Sequence, residues 1–182
     1  RMNTTRGETA AVWLQSVGEA ELVRVLRVFG EERYAGRIAS AIVRHREEAP
    51  LSTTRALSSV IEAAVPRREP GKHPATRSFQ AIRIFLNREL EELSLGLEQA
   101  VDAMRAGGRL AVIAFHSLED RLVKRFMRDL ERGWSMGAGR PELAEQGRKV
   151  LHRLGKAVMP SPEEVSRNPR ARSAVLRVSE KI

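Results

Sequence analysis

Gly107-Gly108-Arg109-Leu110-Ala111-Val112-Ile113-Ala114-Phe115-His116-Ser117-Leu118-Glu119-Asp120-Arg121 holds three kinds of signal in fifteen residues. A glycine pair punctuates the chain, six consecutive apolar residues follow from Leu110 to Phe115, and a polar cluster then opens a new amphipathic segment. An apolar run of that length behind a turn reads as a strand buried on both faces of a parallel sheet. Ser117 with Glu119 and Asp120 reads as a helix start, the serine capping and the acids answering the helix dipole. In open α/β sheets ligands sit beyond the carboxyl ends of strands, which is where His116 and Ser117 fall. They are therefore candidates for chemistry as well as for capping.

Downstream, Leu118, Leu122, Val123 and Phe126 continue a helix whose other side carries Arg121, Lys124, Arg125, Arg128 and Arg132. Spacings of three and four put these cations on one face, able to track a nucleic-acid backbone. Asp120, Asp129 and Glu131 are also in reach as ordinary ion-pair partners. Gly133 to Gly139 reads as a loose loop. Val150 to Val158 and Ser173 to Val178 read as strands, separated by a helix start at Pro162-Glu163-Glu164 and a turn at Asn168-Pro169. Helix, buried strand, helix and two strands make an α/β ending.

Upstream, a long amphipathic helix is expected from about Thr76 to Arg105, with Phe79, Ile82, Leu86, Leu90, Leu93, Leu97, Val101 and Met104 along one side. Before it, Pro66-Arg67-Arg68-Glu69-Pro70-Gly71-Lys72-His73-Pro74-Ala75 has the composition of a linker. Its cations, with Arg77, also suit a phosphate clamp stiffened by proline. The first 65 residues read as four short helices. Thr5 and Glu8 have capping-box spacing. Leu22, Val25, Leu26 and Phe29 form a face that Gly30 ends, and Tyr34, Ile38, Ala41, Ile42 and His45 form another. Ser52 or Thr53 caps a helix with Leu57, Val60, Ile61 and Val65 on its face.

The 182 residues are 42% apolar, about 49% once the 13 glycines are counted, which allows a sizeable core. Aromatics are only 4%, so that core is aliphatic. Lysine and arginine number 32 against 23 acids, a formal charge of +9 that favours polyanionic partners. Twenty-seven of the 32 are arginine, a bias that a GC-rich genome also produces. Residues 109 to 182 carry a net +7 and residues 1 to 108 only +2. The absence of cysteine excludes disulfides, thiolate nucleophiles and cysteine-held metals. His45, His73, His116 and His152 never pair at helical i, i+4 spacing, so no metal site is expected. No apolar run spans a bilayer and no secretory leader opens the chain, so a cytoplasmic protein is the expectation. A chain that starts at Arg1 reads as a piece of something longer. No apolar strand leads into a glycine-rich turn, and no Ser-centred nucleophile elbow exists.

Gly71-Lys72-His73-Pro74-Ala75-Thr76-Arg77-Ser78-Phe79-Gln80-Ala81-Ile82-Arg83-Ile84, with Asn87-Arg88-Glu89-Leu90-Glu91, resembles a stretch of the bacterial 16S ribosomal-RNA (cytosine-N4) methyltransferases. The string from Gly107 to Arg121 resembles their second long signature. Pro162-Glu163-Glu164 and Asn168-Pro169-Arg170-Ala171-Arg172-Ser173-Ala174 resemble a C-terminal one, and Arg1-Met2 and Thr4-Thr5-Arg6-Gly7 match inside the family's chain. The resemblance implies the C-terminal half of a class I, Rossmann-like α/β methyltransferase domain (residues 73–182), with an all-helical substrate-recognition insertion (residues 1–72, partial). Leu110 to Phe115 would be its fifth strand and the last two strands its closing antiparallel hairpin.

The cofactor implied is S-adenosyl-L-methionine, held mostly by an N-terminal part outside this chain. No cofactor-binding residue is assigned here, and the chain alone is expected to be inactive. His116, Ser117 and Glu119 would line the base pocket. Arg67, Arg68, Lys72, His73, Arg77, Arg121 and Lys124 would contact 16S ribosomal RNA in the small subunit. A homodimer is compatible with the resemblance; a membrane partner is not expected. A non-enzymatic RNA-binding or ribosome-assembly module is the alternative function.

Overall fold

The computed structural model describes residues 7–67, 69–133 and 149–182, and it divides into two compact units, Arg1–Glu89 and Leu90–Ile182. The first unit is helical: α1 (Ala10–Ser16), α2 (Glu19–Gly30), α3 (Ala35–Glu48), α4 (Thr54–Ala64) and α5 (Thr76–Asn87). Two of these starts are made by threonine side chains. Thr9 accepts from the Val12 amide and Thr53 from the Ala56 amide, at 3.2 and 3.1 Å. Thr53 is thus the cap of α4 rather than Ser52. Helix α1 begins too late for a capping box at Glu8, and Thr5 lies outside the described residues.

Apolar residues repeated every three to four positions put Leu22, Val25 and Leu26 of α2, Ile38, Ala39 and Ile42 of α3, and Leu57 and Ile61 of α4 into one core with Ala81 and Ile82 of α5. Each of these leucines, isoleucines and the valine contributes about 1.5–3 kcal/mol by leaving water. Helix α2 packs on both α5 and α3, and α3 on α4. The carboxyl end of α2 comes especially close to α5: a Cβ on Gly30 would stand 2.7 Å from the Arg77 carbonyl oxygen.

The long helix expected from Thr76 to Arg105 is two helices. Arg88 takes a left-handed conformation, φ 52° and ψ 36°, and ends α5; α6 runs from Glu89 to Ala103. The carboxylate of Glu89 accepts from the Asn87 side-chain amide at 3.0 Å and pairs with Arg83 at 2.9 Å. The apolar stripe keeps its period through the break, so a single residue changing backbone region leaves no trace in the pattern. Helix α5 thereby joins the first unit, which ends between Glu89 and Leu90. The stretch from Pro66 to Ala75 lies within that unit.

In the second unit follow β1 (Arg109–Ala114), α7 (Ser117–Arg132), β2 (Leu151–Arg153), α8 (Pro162–Arg167), a 3-10 turn (Pro169–Ser173) and β3 (Val175–Lys181). The sheet order is β1-β3-β2 and both pairings are antiparallel, with Val112 opposite Arg177 and His152 opposite Glu180. The two closing strands are both present, though β2 is short and Val158 makes only an isolated bridge to Leu176. Leu97 and Val101 of α6, Val123, Met127 and Leu130 of α7, and Leu151 of β2 form the core, against which Leu110 and Val112 pack. The amino group of Lys181 in β3 donates to the Val101 and Met104 carbonyls at 2.7 Å each, answering the orphan acceptors at the end of α6.

Strand β1 departs from the reading of a strand buried on both faces. Its exposure alternates: Leu110, Val112 and Ala114 turn inward, whereas Ile113 is 58% exposed and Arg109 and Ala111 are open to solvent. It sits at the sheet edge, and among the described residues only β3 pairs with it. Continuous hydrophobicity along a strand reports what both faces can bury, not what covers them in this chain. Taken together the described chain is mixed α/β, with eight α-helices and a three-stranded sheet among the described residues. No helix among them is long and apolar enough to cross a membrane.

Candidate active-site strand end and nucleic-acid loop

The carboxyl end of β1 passes directly into α7. Ala114 is buried, Phe115 is 55% exposed, and His116 is extended at φ −143° and ψ 163°. The helix cap is His116 rather than Ser117, which is the first helical residue and lies exposed. His116 Nδ1 accepts from the Glu119 amide at 3.3 Å. In return Glu119 Oε2 accepts from the Phe115 and His116 amides at 2.8 and 3.3 Å. This is a capping box built with an imidazole in place of a hydroxyl.

Because Nδ1 accepts, the ring proton of the neutral form sits on Nε2. That atom is buried and 3.2 Å from Glu119 Oε1, yet it makes no aligned hydrogen bond. The contact is thus an electrostatic one, off the hydrogen-bond direction. Burial pushes the Glu119 carboxyl up, but the His116 ring and the Phe115 and His116 amides outweigh it and hold the carboxyl below the usual glutamate value. Both oxygens of Glu119 are therefore engaged within the cap.

Asp120, next in sequence, is gripped by an arginine that sequence reasoning missed. Arg177 of β3 reaches its carboxylate through Nε at 2.7 Å and a terminal nitrogen at 2.9 Å, forming a two-pronged pair. Read from sequence, Asp120 was a dipole partner at a helix start. Only the antiparallel register that sets Arg177 opposite Val112 identifies its true partner. Further along α7, Arg121, Lys124 and Arg125 are exposed, while Arg128 pairs with the buried Asp129 at 2.8 Å. Glu131 pairs with Arg153 of β2.

In the helical unit, the loop after α4 is ordered by its own side chains. Glu69 pairs with Arg77 at 2.8 Å and with Lys72 at 3.6 Å, and Arg77 also donates to the Glu31 carbonyl at 3.0 Å. His73 Nδ1 accepts from the Ala75 amide at 3.2 Å, and its Nε2 lies 3.2 Å from Glu62. Gly71 supplies a left-handed turn at φ 72°. Arg67, Lys72, His73 and Arg77 line one pocket of about 200 Å³, together with Arg33 and Tyr34. Arg68 lies outside the described residues, as do residues 134–139 of the glycine-rich stretch. Part of the cationic clamp is thus neutralised by Glu69, while Arg67 is exposed and, among the described residues, has no acid in ion-pair reach.

The base-pocket candidates His116, Ser117 and Glu119 lie at the cap and first turn of α7. The RNA-contact candidates fall in two places: Arg67, Lys72, His73 and Arg77 line the loop pocket, whereas Arg121 and Lys124 lie on α7. Among the described residues no group of histidine and carboxylate side chains is arranged to hold a metal ion.

The whole chain, residues 1–182, matches the family model of the MraW methylase family. It is 50% identical over 184 residues to the ribosomal RNA small subunit methyltransferase H of Pseudoalteromonas atlantica; the match takes in all of this chain and 59% of that protein. With its signature strings, its strand-to-helix junction and a match along its full length, the chain belongs to the MraW methylase family.

Proposed function

We propose that this chain is the C-terminal portion of an S-adenosylmethionine-dependent methyltransferase acting on N4 of a cytidine in 16S ribosomal RNA. The observation that carries the reading is the 50% identity over the entire chain to a small-subunit ribosomal RNA methyltransferase. The sheet supports the class I assignment: β3 runs antiparallel between β1 and β2, as the closing hairpin of that fold requires. In this reading β1 is the fifth strand and the helical unit is the recognition insertion.

The described residues do not fit the cofactor. Its nucleotide needs a strand leading into a glycine-rich turn with a carboxylate for the ribose. Here β1 leads into Phe115-His116-Ser117, and Gly107 and Gly108 lie at its other end. Calorimetric titration of the 182-residue chain should accordingly show no measurable uptake of S-adenosylmethionine. Micromolar binding would refute that placement.

What the chain's residues contribute is alignment. The cytosine N4 lone pair is shared with the ring, so rate comes chiefly from holding the amino group in line for transfer, after the base has been splayed out. Ser117, exposed at the first helical position, contacts the base. His116 and Glu119 act through position, because His116 Nδ1 and Glu119 Oε2 are taken up in fixing where that turn begins. Arg67, Lys72, His73 and Arg77 hold phosphates from the helical unit, and Arg121 and Lys124 do so from α7.

Incubation of the full-length protein with labelled cofactor and unmodified small subunits, followed by nucleoside mass spectrometry, tests the reading. N4-methylcytidine is expected. RNA binding without methylation would favour the non-enzymatic assembly module instead.

A further inference from the structure

The loop pocket does not end at the loop. Arg33 and Tyr34 line it, and the next turns of α3 run straight into a second, wider depression lined by Gly36, Arg37, Ser40, Arg44 and Glu48. The opposite wall is equally continuous: Val65 borders the first depression, and Ala64, Ala63 and Val60 of α4 border the second. The two depressions thus neighbour each other along the α3–α4 seam, wholly within the helical unit, as two stretches of a trough.

Its cations are spaced for a chain of phosphates. Arg37 and Arg44 lie seven residues apart on one side of α3, a rise of about 10 Å, and Arg33 lies in the turn two residues before the helix. Arg33, Arg37, Arg44 and Arg67 are exposed. Arg44 donates to the Ser40 hydroxyl at 3.4 Å, and the Arg33 guanidinium lies 5.7 Å from the Tyr34 ring centre. Six cations border the trough against three carboxylates. Of those three, Glu32 is buried and accepts from the Tyr34 amide, and Glu69 is held by Lys72 and Arg77.

We propose that this trough is a track for single-stranded RNA, running from the loop pocket along α3, with Arg33, Arg37 and Arg44 as phosphate contacts additional to the loop. The inference rests on the ribosomal RNA reading above and extends its interface to a helix face that neither the loop nor α7 includes. An acidic protein segment would meet the same charge. The half-buried Tyr34 ring beside Arg33 favours RNA, because a base can stack there and a peptide carboxylate cannot.

Filter binding of a fluorescent oligoribonucleotide to the full-length protein across a salt series tests the track. For single strands each lost phosphate contact lowers the log-log salt slope by about 0.7, so R37A/R44A should lower it by about 1.4. R37K/R44K should keep most of the slope, since a lysine still neutralises a phosphate. Equal thermal midpoints for the variants show that the helical unit remains folded. An unchanged slope in R37A/R44A, in protein that still methylates small subunits, overturns the track and leaves the functional reading standing. Loss of methylation by the unsubstituted protein strikes the functional reading instead. Should poly-glutamate compete as well as RNA of equal charge, and with the same dependence on Arg37 and Arg44, the trough is a seat for an acidic protein and the proposal is wrong.

Discussion

Arg177 and Asp120 hold each other through two parallel hydrogen bonds, 2.7 and 2.9 Å long, with both side chains about three-quarters or more shielded from solvent. One lies on β3, the middle strand; the other lies in the first turn of α7, four residues after the cap His116. The pair ties the strand-end junction to the sheet, which neither partner's local sequence does. Removing one partner leaves a partly shielded charge. Arg177→Ala should therefore cost about 1–2 kcal/mol, below the full range for charged hydrogen bonds because solvent still screens the pair. A double-mutant cycle with Asp120→Ala measures it. Additive losses would mean that the two residues are not coupled.

The cap at His116 carries a pH dependence whose sign follows from Glu119. Its carboxyl is held below the usual glutamate value in the folded chain. The stabilisation is therefore complete above the unfolded value of about 4.3 and is lost as pH falls through the lower folded value. Unfolding midpoints of the parent chain and Glu119→Gln, measured from about pH 6 down to about pH 3, should converge at the acid end. A gap that persists or widens there would contradict the arrangement.

His116 itself separates capping from chemistry. His116→Ala should cost about 1 kcal/mol, the typical value of a lost cap. His116→Asn can cap α7 without an imidazole. If the ring's role is positional, the asparagine variant of the full-length protein should retain most of the single-turnover methylation rate that alanine loses. Equal losses in both would instead require the imidazole in the reaction.

Gly30 sits where the end of α2 meets α5. Alanine there would bring its methyl against the Arg77 carbonyl and the Ala81 methyl, at 2.7 and 3.1 Å. The first obstacle is backbone and moves only with the helix. Gly30→Ala should lower stability by about 1–3 kcal/mol despite alanine's better helix propensity, whereas Gly36→Ala in α3, with nothing in reach, should not. Thermal unfolding of the two variants side by side checks this.

Strand β1 offers an edge and an apolar face in the described chain, with Ile113 and Phe115 both more than half exposed. Such an edge invites pairing between copies. The 182-residue chain should self-associate with rising concentration in sedimentation experiments, and Ile113→Lys should suppress it. If the lysine variant associates equally, another surface is responsible.

Much of this architecture was legible in the amino-acid order. The helices α2, α3 and α4 follow from apolar residues every three to four positions, and α7 from its stripe and its opening acids. Leu110 to Phe115 was legible as a strand because six apolar residues between a glycine turn and a polar cluster have few other uses. Both groups of candidate residues were also visible, since cations on a proline-stiffened loop and polar residues after a strand are local features.

The tertiary structure decided what depends on partners distant in sequence. Whether one helix or two spans residues 76 to 103 turned on the single backbone angle at Arg88, which periodicity cannot register. The side of the division on which α5 falls turned on its packing against α2. That Glu69 neutralises Lys72 and Arg77, that Asp120 belongs to Arg177, and that Arg33 lines the loop pocket are facts of chain crossing. Local pattern specifies which residues turn inward, because burial follows the helical and strand periods. Which charges end up paired is settled only when separate elements meet, because an ion pair acts over a few ångströms of space and not along the chain.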